Sequence, residues 1–79
     1  MMEIKVIGFK DVNFNGQDGN HVEGTTVFYL YNDRYVTGNA ADKLFIRKDR
    51  PNPFELNKRY VVSYNRYGKF DLDELKKVE

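Results

Sequence analysis

The residues of this chain with chemistry to offer are cations and aromatic rings set side by side. Arg34-Tyr35, the alternating trio Lys43, Phe45 and Arg47, Arg59-Tyr60, and Arg66-Tyr67-Gly68-Lys69 all fall within residues 34–69. That segment holds nine basic residues against Asp42, Asp49 and Glu55, a balance of +6. Cations attract phosphates, and flat rings stack on bases. Together they are the two components of a single-strand nucleic-acid surface, where each stacked base contributes ~1–3 kcal/mol without any sequence code.

The segments on either side are acidic. Residues 1–33 set Lys5 and Lys10 against Glu3, Asp11, Asp18, Glu23 and Asp33, a balance of −3. Residues 70–79 set Lys76 and Lys77 against Asp71, Asp73, Glu74 and Glu79, a balance of −2. The net charge of +1 therefore conceals a basic middle.

A side-chain period of two sorts the middle further. With Leu44 and Ile46 turned to a core, Lys43, Phe45 and Arg47 share an outward face. The rings predicted to stack are Tyr35, Phe45 and Tyr67. The cations predicted to meet phosphates are Arg34, Lys43, Arg47, Arg66 and Lys69. Within 59–64, alternation puts Tyr60, Val62 and Tyr64 on the core side, so the binding signal moves to the turn, where Arg66 and Tyr67 project into solvent.

Catalysis finds little support. The chain has no Cys, one His, and neither a nucleophile-elbow nor a phosphate-loop glycine pattern. Asp71, Asp73 and Glu74 read as a solvated chain end. Asp11, Asn13, Asn15 and Gly16 match the opening of a calcium loop, but the bidentate acid is due at position 22, which is Val, with Glu23 one residue late. His21 lacks partners at metal-ligand spacing. The expectation is a protein that is not an enzyme and takes no cofactor, metal or small-molecule substrate.

These residues must be positioned by one small domain of 79 residues. A chain of this size buries only roughly 60–65% of its unfolded surface. Aromatics at 15% and short Val and Ile runs predict a β-rich fold. Residues 3–9 alternate until Gly8, where the pattern shifts, as at a bulge or bend. Residues 11–24 carry Asn15-Gly16 and Asp18-Gly19 and read as a long hairpin loop. Residues 24–31 form the second strand, with Val27, Tyr29 and Tyr31 on one face and Thr26, Phe28 and Leu30 on the other. After a turn at Asn32-Asp33-Arg34, a third strand starts at 35–38 and resumes over 43–47. Pro51 and Pro53 make 48–58 a loop. The fourth strand covers 59–64, a short fifth covers 69–72, and residues 73–79 have helical composition. Five strands predict an all-β, small five-stranded barrel, OB-like or alternatively SH3-like, with a short C-terminal helical turn.

Two stretches, residues 22–46 and 60–72, carry a resemblance. Tyr29-Leu30-Tyr31, Val36-Thr37-Gly38 and Tyr67-Gly68-Lys69 follow the order of a tyrosine strand, a hairpin with a V-x-G step, and a last strand turning at a glycine. In this the chain resembles small OB-fold single-stranded DNA-binding proteins of phages and mobile elements, filamentous-phage type. The resemblance covers about half the chain and implies a DNA-binding homodimer with exposed hairpin aromatics.

Two other readings fit the same residues. An SH3-like barrel would read peptides with Tyr29, Tyr31 and Tyr67 beside the acidic 11–23 loop, as a small protein-interaction module. A structural or regulatory homodimer would bury those rings across a two-fold axis. The chain lacks a leader-like apolar segment and any membrane-length apolar run, so a cytoplasmic location is expected.

Overall fold

The computed structural model describes residues 2–78. Its five strands are β1 (Met2–Asn15), β2 (His21–Tyr31), β3 (Ala40–Arg47), β4 (Arg59–Val62) and β5 (Lys76–Lys77). They form one antiparallel sheet in the order β3-β2-β1-β4-β5. The sheet is all-β as predicted, but it is not closed: β3 and β5 are its two edges. No helix forms among the described residues; within 73–78, Lys76 and Lys77 pair with Val61 and Tyr60 instead.

The register of β1 explains its unusual length. Val6 pairs with Tyr29 and Gly8 with Phe28, leaving Ile7 as the extra residue of a bulge. The bulge returns alternation to phase, so Val6 and Phe9 face one side while Ile7 and Gly8 face the other. This is the shift that Gly8 marked in the sequence.

One sheet face carries the core. Ile4, Val6, Val27, Tyr29, Ile46, Tyr60 and Val62 are all buried there. The chain after β3 folds back over them. Phe54 from the 48–58 loop packs edge-on against Tyr60 at 5.0 Å between ring centres. Phe70, Leu72 and Leu75 add a partly buried cover.

Four local expectations are corrected. The 11–24 loop shrinks to 16–20, because backbone pairing runs out to Asn15–His21 and ends in a turn closed by the Gly16 N–H on the Asn20 carbonyl, 2.7 Å. Residues 35–38 are a turn, not strand: the Val36 N–H reaches back to the Asp33 carbonyl, and Gly38 has a φ of 85°. Residues 69–72 make only one bridge, Phe70 to Tyr64, and the fifth strand lies at 76–77. Tyr64 is 56% exposed, not core, because β4 ends at Val62.

Gly24 occupies a position on β2 that no side chain fits. A Cβ there would lie 2.6 Å from Phe45 Cζ and closer still to the Ile46 carbonyl oxygen, which is backbone and cannot turn aside. Gly24→Ala is therefore expected to destabilise the fold by about 1–3 kcal/mol. Urea unfolding measures this, and an unchanged midpoint would refute the close approach.

Candidate nucleic-acid interface

Residues paired across an antiparallel ladder share a face. Reading the registers from the bulge outward assigns the side opposite the core. On β1 it holds Glu3, Lys5, Ile7 and Lys10; on β2, Thr26, Phe28 and Leu30; on β3, Lys43, Phe45 and Arg47. Lys5, Lys10, Lys43 and Arg47 are all exposed. Among the described residues of β1–β3 on this side, Glu3 is the carboxylate. Two other acids of the first segment go elsewhere: Asp11 and Glu23 lie opposite Thr25 and Asn13, on the core side of the register.

Two rings on this face have a glycine as neighbour on the adjoining strand. Phe45 covers Gly24, and Phe28 comes within 3.8 Å of the Cβ position of Gly8. Glycine leaves no side chain to hold an aromatic ring away from the sheet. Phe45 stays 43% exposed.

The remaining predicted residues sit on two turns with one shared construction. In the first, Asp33 Oδ1 accepts the Tyr35 N–H at 2.9 Å. In the second, Asn65 Oδ1 accepts the Tyr67 N–H at 2.9 Å. Each Asx turn is followed by an arginine lying over the next ring, Arg34 over Tyr35 at 4.9 Å and Arg66 over Tyr67 at 5.0 Å. Each arginine also donates to the hydroxyl of that tyrosine, at 2.8 and 2.9 Å. Tyr35 is 82% and Tyr67 71% exposed. Each ring is thus stiffened by its own cation.

The structure brings Phe45, Arg47 and Lys69 to one open groove, between β3 and the 63–71 hairpin. Arg34 and Tyr35 stand apart, in the turn that connects Tyr31 to Ala40 at the end of the β2–β3 ladder. Lys5 and Lys10 were missed because the charge of residues 1–33 was summed along the chain. Strand alternation would have separated Lys10 from Asp11, but only the position of the bulge says which side each takes.

Tyr29, Tyr31 and Tyr67 do not line one acidic-rimmed groove. Tyr29 is buried beside Tyr31 and Phe70, with ring centres 6.0 and 5.4 Å away, whereas Tyr67 is on a turn. Burial pushes the Tyr29 hydroxyl up to about 12, with the Asp42 carboxylate adding to the shift. A hydroxyl whose pKa is raised by folding stabilises the protein below its unfolded pKa, near 10, and loses that contribution as pH rises through the folded value. Stability should therefore fall by about 1–2 kcal/mol between pH 10 and 12, and Tyr29→Phe should flatten that fall. Urea midpoints at pH 9, 10.5 and 12 test it; an identical fall in the variant would contradict the assignment.

His21 is held at the hairpin end by Asn15 Oδ1, 2.9 Å from its Nδ1, with Glu23 3.7 Å from Nε2. No cluster of three metal-ligating side chains occurs among the described residues, and no helix there is long and apolar enough to cross a membrane. No protein-family model, curated protein or solved structure matches the chain.

Proposed function

We propose that this protein binds single-stranded nucleic acid, DNA by preference, without catalysis and without base-specific readout. The observation that carries the reading is the sheet face opposite the core, which Lys5, Lys10, Lys43 and Arg47 share with Phe28 and Phe45. Cations spread over one face meet successive phosphates, and exposed rings among them give bases a surface to stack on. Tyr35 and Tyr67 extend this surface from the two turns, with Arg34, Arg66 and Lys69 as further phosphate contacts. An exposed ring already covered on one side by its own arginine loses little freedom when a base covers the other.

The resemblance to OB-fold single-stranded DNA-binding proteins of phages and mobile elements supports the same activity. It adds two elements to the proposal: an OB-like arrangement that a partner would complete, and a homodimer; the cytoplasmic location proposed with them rests on the sequence's lack of a leader-like or membrane-length apolar segment. Titration of a fluorescein-labelled oligo-dT at low and moderate salt tests binding. For single strands, log K should fall with log salt at a slope of about −0.7 per phosphate neutralised. Absence of binding at about 50 µM protein in low salt, where phosphate contacts are strongest, would sink the proposal.

A further inference from the structure

The sheet stops short of closing at one place, and the gap has the form of a strand. Between β3 and the 63–71 hairpin runs an open groove of about 650 Å³. Its floor is apolar, from Leu44, Ile46 and Phe70, and Arg47 and Lys69 stand beside it. Asp42 also lines it, but its Oδ1 already accepts the Lys43 N–H at 2.8 Å.

Both walls of the groove carry unmatched backbone. The Lys48 N–H donates to the Glu23 carbonyl at 3.0 Å, one step beyond the end of β3. In an antiparallel ladder bonded pairs recur every second residue, so Ile46, Leu44 and Asp42 bond to β2. Lys43, Phe45 and Arg47 then turn their peptide groups to the free edge, where Asp42 Oδ1 takes the Lys43 N–H and the Arg47 carbonyl accepts the Arg50 N–H, which leaves Phe45. On the other wall, the Asn65 N–H donates to Lys69 and the Asp71 N–H to Ser63, at 2.7 and 2.8 Å. The peptide groups of Phe70, between them, point away from that pairing.

We infer that an extended acidic peptide from a partner protein adds as a strand in this groove, hydrogen-bonded to Phe45 on one side and Phe70 on the other. Period two fixes its chemistry. Alternate side chains would lie beside Leu44 and Ile46 and must be apolar. The others would lie beside Lys43, Phe45 and Arg47 and should be carboxylates. The inference stands independently of whether the outer face holds nucleic acid.

The probe is a fluorescein-labelled peptide of four Asp-Val repeats, used with the full chain. Its anisotropy should rise and saturate below about 500 µM at low salt. Exchange of the Phe45 and Phe70 amides should slow by about tenfold on saturation. A peptide of four Lys-Val repeats, and the Asp-Val peptide N-methylated at each Val, should each bind at least about tenfold more weakly, having lost the charge match and one hydrogen-bonding edge respectively. Phe45→Pro removes the N–H at a free edge, where proline is tolerated, and should abolish binding while leaving the fold intact. The inference is overturned if the Asp-Val peptide does not bind, or if the N-methylated peptide binds equally. It also fails if the two amides become protected with rising protein concentration alone, which would make a second copy the occupant. Protection by oligo-dT and not by the peptide would assign the groove to nucleic acid.

Discussion

Changing Lys43 and Arg47 together to glutamate is expected to weaken oligo-dT binding by about 10- to 100-fold at low salt, and to make the salt dependence shallower by about 1.4 in log–log slope. The argument rests on where these side chains are. Both are exposed on β3, on the side opposite the core, and each flanks Phe45 by two residues. A strand crossing this face meets both cations or neither. Because the two side chains are exposed and away from the core, folding stability should stay within about 0.5 kcal/mol of the parent. Phe45→Ala should behave differently. It removes a stacking surface worth ~1–3 kcal/mol, so affinity drops by about 5- to 150-fold while the salt slope stays put. Lys10→Glu supplies the internal control. It belongs to a segment whose summed charge is negative, yet the register places it on the binding face with Phe28 and Lys43. It should weaken binding about as much as Lys43→Glu alone. A double variant that binds with unchanged affinity and slope would show that this face is not where the phosphates lie.

That control also marks how far the sequence could be read. Alternation alone placed Lys43, Phe45 and Arg47 outward and Leu44 and Ile46 inward, and the structure agrees, with Ile46 at 3% exposure. It also separated Val27 and Tyr29 from Thr26 and Phe28. These are long, regular runs, in which each residue's face follows from its neighbour's. Gly8 announced the bulge for the same reason, since it broke a pattern otherwise kept. Legibility ended where pairing depends on distant residues. Nothing in Asp11-Val12-Asn13-Phe14 says that it finds Thr25, Gly24, Glu23 and Val22 across the hairpin, so strand was read as loop. Tyr35-Val36-Thr37-Gly38 has strand composition, but the side chain of Asp33 captures the Tyr35 N–H and turns the chain. The tail has helical composition, yet the free edge of β4 gives Lys76 and Lys77 backbone partners that a single helical turn lacks. Closure is written in no local pattern. Five strands are enough for a barrel, but whether the first and last meet depends on the 63–71 hairpin, which packs Phe70 against Tyr29 and leaves β3 an edge.

Tyr60 is where a substitution should cost the most stability. It is 1% exposed and is the largest of the fully buried side chains. Its ring meets Phe54 edge-on, and its hydroxyl accepts the Glu55 N–H at 2.7 Å. One side chain thus joins β4 to the 48–58 loop twice, by packing and by a hydrogen bond. The loop is also held by the Val6 N–H on the Lys58 carbonyl and by Arg50 on Asp73. Asn57 takes a φ of 63° while its N–H bonds to Val6, and Glu55 pairs with Lys77 at the surface. Tyr60→Ala is expected to lose about 3–5 kcal/mol, against a total of only about 4–12 kcal/mol for a domain of this length. Such a variant should unfold at a far lower urea concentration than the parent. Tyr60→Phe separates the two terms. It keeps the ring and leaves the part-buried Glu55 N–H without its acceptor, for a loss of about 1–3 kcal/mol. In a double-mutant cycle with Phe54→Ala, Tyr60→Ala should show a coupling of about 0.5–1.5 kcal/mol, and Tyr60→Phe close to none, because the ring contact survives in the latter. Urea unfolding of the six proteins in the two cycles gives every term. A Tyr60→Phe protein as stable as the parent would mean that the hydroxyl does not help to hold the loop. Since Tyr60 faces away from the cationic surface, Tyr60→Phe should bind oligo-dT like the parent, whereas Phe45→Ala should not.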